Sequence, residues 1–186
     1  ALKLFHNSGL EDESIKAIMK LAAQVQPDSL FVVGTHISVE NGLYNCAVVL
    51  NGGRPIAAVP KEFIPNYAEF EEGQWFAIAD DKDIPDEINF GGLHIPFGTR
   101  LLFRGRSDDG TYDAKQEIVA FIELCEAIWM IIPPSSFGAL AGANVLLNPS
   151  ASTETIGKAE QRRGHVLSQS ARCQSVYAYC SSGPTE

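Results

Sequence analysis

The 186-residue chain is poor in positive charge: 14 Lys and Arg against 23 Asp and Glu leave a formal net charge of -9, and Arg162-Arg163 is its longest basic run. Nucleic acid and anionic membrane surfaces are bound through clustered cations, so neither is an expected partner. Cysteine is also sparse. Cys46, Cys125, Cys173 and Cys180 form no C-x-x-C pair, and no histidine spacing suits zinc, so no metal site is expected. The chain contains no secretory leader and no apolar span of about 18 residues, which predicts a reducing, cytoplasmic setting. There is no initiator Met at Ala1 and no obvious tail after Ser182-Gly183-Pro184-Thr185-Glu186, so a fragment is expected.

What is present fits one soluble, globular domain, since 45% hydrophobic residues at this length can bury a substantial core. Acid in a first turn at Glu11-Asp12-Glu13, followed by Ile15, Ile18, Met19, Ala22 and Val25, predicts an amphipathic helix from about 11 to 25 that Pro27-Asp28-Ser29 stops. A strand is expected from Leu30 to Gly34. Two more, Tyr44 to Leu50 and Pro55 to Val59, flank the hairpin signal Asn51-Gly52-Gly53, and the first has apolar residues on both faces. Lys61 to Phe76 lacks a clean period and reads as an ordered functional loop with at most a short helical turn. Asp80 to Glu87 reads as an acidic surface connection, Gly91-Gly92 as a turn, and Arg104 to Gly110 as a charged loop.

The second half predicts strand, helix, strand. An apolar run from Val119 carries Cys125 at its strand-like end, and Pro133-Pro134 excludes continuous helix. Ser135 is expected to cap a small-residue helix through Ala141. Asn144 to Leu147 is the next strand, Pro149 to Thr155 a polar loop and Gly157 to Arg172 a helix, despite Gly164 costing about 1 kcal/mol against Ala. Ser175 to Cys180 closes the described pattern as a strand.

A cysteine at a strand end is either a small buried hydrophobe or a nucleophile, and the thiolate that attacks is only a few per cent of a free thiol near neutral pH. A nearby cation or an exposed turn is therefore needed. Lys61, sent out of a hairpin by Val59-Pro60, is either ordinary solvated surface or such a cation.

The stretch Pro60-Lys61-Glu62-Phe63-Ile64-Pro65-Asn66-Tyr67-Ala68-Glu69-Phe70-Glu71-Glu72 and the surroundings of Cys125 resemble the nitrilase (carbon-nitrogen hydrolase) superfamily. The resemblance is nearest to the glutaminase domain of glutamine-dependent NAD+ synthetases. Cys125-Glu126-x-x-Trp129 is followed by Pro133-Pro134-Ser135, Ala139 to Ala143, Asn148-x-Ser150-Ala151-Ser152 and Gly157-Lys158, and Leu43-Tyr44-Asn45 and Pro96-Phe97-Gly98 also take part. The resemblance implies an α/β fold, a four-layer α-β-β-α sandwich incomplete at both ends, with residues 1–186 a partial glutaminase domain. It implies that Cys125 attacks the side-chain amide of L-glutamine to form a thioester and release ammonia. Lys61 is implied to stabilise the oxyanion, a contribution of about 3 to 4 kcal/mol for a preorganised donor. Glu72 is implied to position Lys61, and Tyr67 and Glu126 to line the substrate pocket. Ser152 and Lys158 match positions that hold the glutamine α-amino and α-carboxylate groups. A carboxylate bound there would pair with Lys158 and the helix N-terminus together, offsetting the cost of a cation in a first turn.

Two departures qualify the match. Ala127 stands where the family commonly has Asp, which removes a local hydrogen bond or ion pair. The general-base glutamate, found in the family on an early strand in a Pro-Glu-x-x-x-x-Gly-Tyr context, has no counterpart here; Glu11 and Glu13 lie at a helix start, while Ala1 to His6 resemble the residues just after that strand. No Ser-Gly-Gly-x-Asp-Ser loop for ATP occurs, so ATP and Mg2+ belong to a synthetase domain absent from this chain, and the glutaminase step needs no cofactor. The expected partners are that synthetase domain and further copies in a homo-oligomer. A stand-alone nitrilase-type amidase and a non-catalytic assembly fragment are the competing readings.

Overall fold

The computed structural model describes residues 8–68, 70–105 and 117–182, which form two compact units, Ala1–Thr99 and Arg100–Glu186. The expectations for Ala1 to His6, for Glu69, for the charged loop from residue 106 onward and for Gly183 to Glu186 lie outside the described residues.

The first unit opens with α1 (Ser8–Ala22) and continues through an antiparallel sheet of β1 (Phe31–Val39), β2 (Gly42–Asn51) and β3 (Arg54–Pro60) in that spatial order. The helix starts and ends about three residues earlier than its apolar period suggests. Gln24 and Val25 still donate backbone hydrogen bonds of 2.9 Å to Leu21 and Ala22, so the pattern continues into a tightened last turn. Ile18 and Ala22 on α1 pack with Cys46, Val48 and Leu50 of the central strand β2. Ala47 and Val49, on the opposite face of β2, are fully buried too, as two-sided apolar patterning requires.

The β2–β3 hairpin closes at Asn51↔Arg54, with Gly52 and Gly53 at φ +53° and +84°, the left-handed pair that this turn demands. β1 is four residues shorter at its start-to-end reading in the sequence than in the structure: it extends past Gly34 to Val39 and returns through Glu40-Asn41, with Glu40 at φ +50°. A second hairpin, β4 (Glu87–Phe90) with β5 (Leu93–Pro96), turns at Gly91-Gly92. It adds Ile88, Phe90 and Ile95 to the same core. The acidic connection before it is exposed apart from buried Ile84 and half-buried Pro85, and Asp81 accepts both the Thr99 N–H at 2.7 Å and the Thr99 hydroxyl at 2.9 Å.

The second unit is a four-stranded sheet in the order β6 (Leu102–Arg104), β7 (Val119–Ile122), β8 (Val145–Ser150), β9 (Val176–Ser181). β6 is antiparallel to β7, whereas β7, β8 and β9 run parallel. The crossovers are α2 (Pro134–Leu140) and α3 (Lys158–Cys173), giving the strand-helix-strand order expected. Gly138 explains how α2 comes so close: a Cβ there would stand 2.4 Å from the ring of Phe121 on β7. Ser135 is not the helix cap. Pro133 occupies that position with Pro134 inside the first turn, where the missing N–H is not needed, and the Ser135 N–H is directed to Glu123 instead. Pro149 and Ser150 also belong to β8 rather than to the loop, paired in register with Cys180 and Ser181. Among the described residues no helix is long and apolar enough to cross a membrane.

Candidate active site

Lys61 directly follows β3, and its backbone is held on both sides: its N–H donates to the Asn45 carbonyl at 2.8 Å and its carbonyl accepts the Ala79 N–H at 3.2 Å. Pro60 can end this strand because β3 is an edge strand. The side chain runs inward, 3% exposed, and the ammonium donates to both carboxylate oxygens of Glu72 at 2.8 Å. Glu72 opens the short 3-10 turn Glu72–Gln74, the only helical piece in a segment expected to hold at most one, among the described residues. Asn45 on β2 donates to the same carboxylate at 3.3 Å. The structure thus joins Lys61 and Glu72 across eleven residues of aperiodic loop and adds Asn45, which the sequence match had placed nearby without a role. Tyr67, in the same segment, is 55% exposed, with its ring edge-on to Phe70 at 5.7 Å between centroids.

In the second unit the strand ends earlier than the apolar run suggests. β7 stops at Ile122, and Cys125 begins a 3-10 turn, Cys125–Trp129. Cys125 lies at φ +46°, a left-handed conformation that costs a non-glycine residue about 1 kcal/mol or more. Its N–H donates to Asn148 Oδ1 at 2.9 Å, and its carbonyl accepts Asn148 Nδ2 at 3.4 Å. Cys125 is half-buried, unlike Cys46, whose thiol burial drives well above the ordinary thiol range. Burial also raises Cys173, with Arg172 opposing. In the same turn Glu126 is half-buried, and Ala127 is 3% exposed within the apolar interior. Ser152 is buried just beyond β8, and Lys158 is the first residue of α3, its ammonium donating to the Thr153 hydroxyl at 3.4 Å. Cys125 and Ser152 therefore both follow the carboxyl ends of adjacent parallel strands, where open α/β sheets place ligands. Lys61, Glu72 and Tyr67 belong to the other unit.

No protein-family model matches the chain. Over 157 residues, 84% of its length, it is 40% identical to the glutamine-dependent NAD(+) synthetase of Mycobacterium tuberculosis and spans 22% of that protein. A crystal structure of the glutamine-dependent NAD(+) synthetase from Cytophaga hutchinsonii superposes on 96% of the chain with a TM-score of 0.77 at 22% identity, the match spanning 27% of that protein. The carbon-nitrogen hydrolase from Helicobacter pylori G27 superposes on 92% with a TM-score of 0.58 at 18% identity, spanning 50% of that protein. The chain shares the α/β fold of these solved structures, as the sequence motifs led one to expect.

The sequence motifs left out a buried polar chain beneath Cys125. Glu123, 3% exposed, accepts the Ser135 N–H at 2.7 Å and a very short bond from the Tyr177 hydroxyl. The Tyr177 oxygen accepts Asn148 Nδ2 at 3.0 Å. The signal was there to find: Glu123 is the lone charge inside Val119-Ala120-Phe121-Ile122-Glu123-Leu124, where a carboxylate must face either water or donors.

Burial raises the Glu123 carboxyl above its ordinary value, against the hydrogen bonds from Tyr177, Ser135 and Asn148 that favour the anion. A carboxyl raised on folding stabilises the fold fully below its unfolded pKa, and that contribution is lost as pH rises through the folded value. Relative to Glu123→Gln, which cannot ionise, the unchanged protein is therefore expected to lose stability as pH rises above the ordinary carboxyl range. Urea midpoints of the two proteins across that range test this, and a difference that stays constant with pH would refute it.

Proposed function

We propose that residues 1–186 are a partial glutaminase domain that hydrolyses the side-chain amide of L-glutamine, feeding ammonia to ATP-dependent NAD+ synthesis from deamido-NAD+ in a synthetase domain outside this chain. The observation that carries this reading is Cys125, a half-buried cysteine on a left-handed turn at the carboxyl end of β7, in a chain 40% identical to a glutamine-dependent NAD(+) synthetase.

Cys125 Sγ, as thiolate, attacks the amide carbon. The carbonyl π electrons go to oxygen, the tetrahedral oxyanion re-forms the C=O bond as the C–N bond breaks and the protonated nitrogen leaves as ammonia, and water then cleaves the thioester to free glutamate and the thiol. Lys61 donates to the oxyanion, held ready by the two-oxygen grip of Glu72. Glu126 and Tyr67 face the substrate. Ser152 and Lys158 take its α-amino and α-carboxylate groups, and the N-terminus of α3 adds its partial positive charge to Lys158. Residues 1–186 contain no glutamate that fits the general-base role, so this stretch alone is expected to be inactive; losing a positioned base commonly costs about 10²- to 10⁴-fold. The glutaminase step uses no metal or organic cofactor in this reading, and assembly into a homo-oligomer through this domain is part of it.

The test is covalent capture. Within its complete reading frame, the protein treated with a glutamine analogue carrying a diazoketone is expected to gain one adduct, mapped by peptide mass spectrometry to Cys125 and prevented by excess glutamine. Absence of that adduct, or equal labelling of Cys180, would refute the assignment.

A further inference from the structure

We infer that Glu123, Tyr177 and Asn148 form a positioning relay that sets the backbone of Cys125, and hence the aim of its thiol; this rests on the reading of Cys125 as the nucleophile. A side-chain amide can be placed either way round, and only one orientation serves Cys125. With Oδ1 toward the Cys125 N–H at 2.9 Å, Asn148 accepts where a donor points at it, and its Nδ2 is left to bond the Cys125 carbonyl and the Tyr177 oxygen. Flipped, the amide would set N–H against N–H.

Tyr177 selects the orientation because its hydroxyl proton is committed to Glu123, leaving its lone pairs for Asn148 Nδ2. Glu123 in turn is a buried acceptor fixed from the other side by the Ser135 N–H of α2. The chain is therefore directional from the Cys125 amide through Asn148 and Tyr177 to the Glu123 carboxylate, and each bond polarises the next. Asn148 is wholly buried, so water cannot replace its two bonds to Cys125. Both peptide groups flanking the left-handed Cys125 are satisfied by one side chain, which is what holds the residue in a conformation it would otherwise leave. None of the three side chains is asked to touch substrate.

A second asparagine supplies an internal comparison. Asn144, one residue before β8, likewise brackets a backbone, accepting the Val119 N–H at 2.9 Å and donating to the Glu117 carbonyl at 2.7 Å, at the opposite end of β7 from Cys125.

The experiment uses the protein expressed in its complete reading frame, unchanged and as Tyr177→Phe, Asn148→Ala and Asn144→Ala. It measures the rate of Cys125 alkylation by iodoacetamide from about pH 6 to pH 10, resolved by peptide mass spectrometry, with Cys180 as internal reference. The steady-state kinetics of glutamine hydrolysis are measured alongside. Tyr177→Phe, near-isosteric and the least disruptive, is expected to change Cys125 alkylation about tenfold and shift its pH profile, while lowering kcat about tenfold with KM within about threefold. Asn148→Ala should do the same or more, whereas Asn144→Ala should leave Cys125 alkylation within about twofold. Unchanged Cys125 alkylation in folded Tyr177→Phe, or an equal change in Asn144→Ala, would overturn the relay. An unchanged protein that hydrolyses no glutamine, yet shows the expected alkylation pattern, would support the relay and sink the glutaminase reading instead.

Discussion

Cys125→Ala is expected to lower glutamine hydrolysis by about 10³-fold or more in the protein expressed in its complete reading frame, with the urea midpoint hardly moved. Covalent catalysis has no substitute for its nucleophile, so the loss should fall on kcat. The other three cysteines predict their own controls. Cys46 is fully buried in the core beside Ile18 and Val48, and burial holds its thiol in the neutral, unreactive form. Cys173, at the end of α3, is likewise raised by burial. Cys180 is exposed on β9, the last strand of its sheet, where the backbone is extended rather than left-handed. Cys46→Ala should therefore cost stability of about 1 kcal/mol through a lost buried sulfur while sparing activity, and Cys180→Ala should cost neither. Ammonia release measured for the three variants decides the matter. Retention of activity within about tenfold in Cys125→Ala would remove the proposed mechanism altogether.

The parts of this fold that follow from local rules were legible in the sequence. Ile15, Ile18 and Ala22 gave α1 its buried face, and the pairs Gly52-Gly53 and Gly91-Gly92 marked two hairpins whose turns need left-handed residues. The expected strand ended at Gly34, where the apolar run stops, whereas β1 continues through Thr35 and His36 to Val39. Tertiary pairing with β2 overrode the weak strand propensity of Gly34. Cys125 was found by its company in the motif, but its conformation was not: nothing in Leu124-Cys125-Glu126 announces a positive φ, which arises because Asn148, on the neighbouring strand, holds both of its peptide groups. The relay was hidden for the same reason. Glu123, Asn148 and Tyr177 sit on or beside three successive parallel strands, separated in sequence by α2 and α3, and only the register of β8 with β9 brings them together.

Lys61 and Glu72 carry the other large effect, and stability and catalysis should separate there. The Lys61 side chain is 3% exposed and that of Glu72 23%, so the two removals are not symmetric. Glu72→Leu strands a deeply buried ammonium and should cost about 3 kcal/mol, the low end for a broken buried pair because water reaches one side of it. Lys61→Met strands a carboxylate that still has water and the Asn45 amide at 3.3 Å, so a loss of about 1 to 2 kcal/mol is expected. The double variant Lys61→Met with Glu72→Leu removes both charges and should recover most of the stability, since a buried pair replaced by apolar groups is often close to neutral. Activity should not follow. If Lys61 donates to the oxyanion, its loss lowers kcat by about 10²- to 10³-fold whether or not Glu72 is present, because removing the stranded charge restores stability but not the donor. Urea denaturation and ammonia release on the three variants give the two readouts independently. Recovery of turnover together with stability in the double variant would mean that the pair only holds the loop, and that the oxyanion is stabilised from elsewhere.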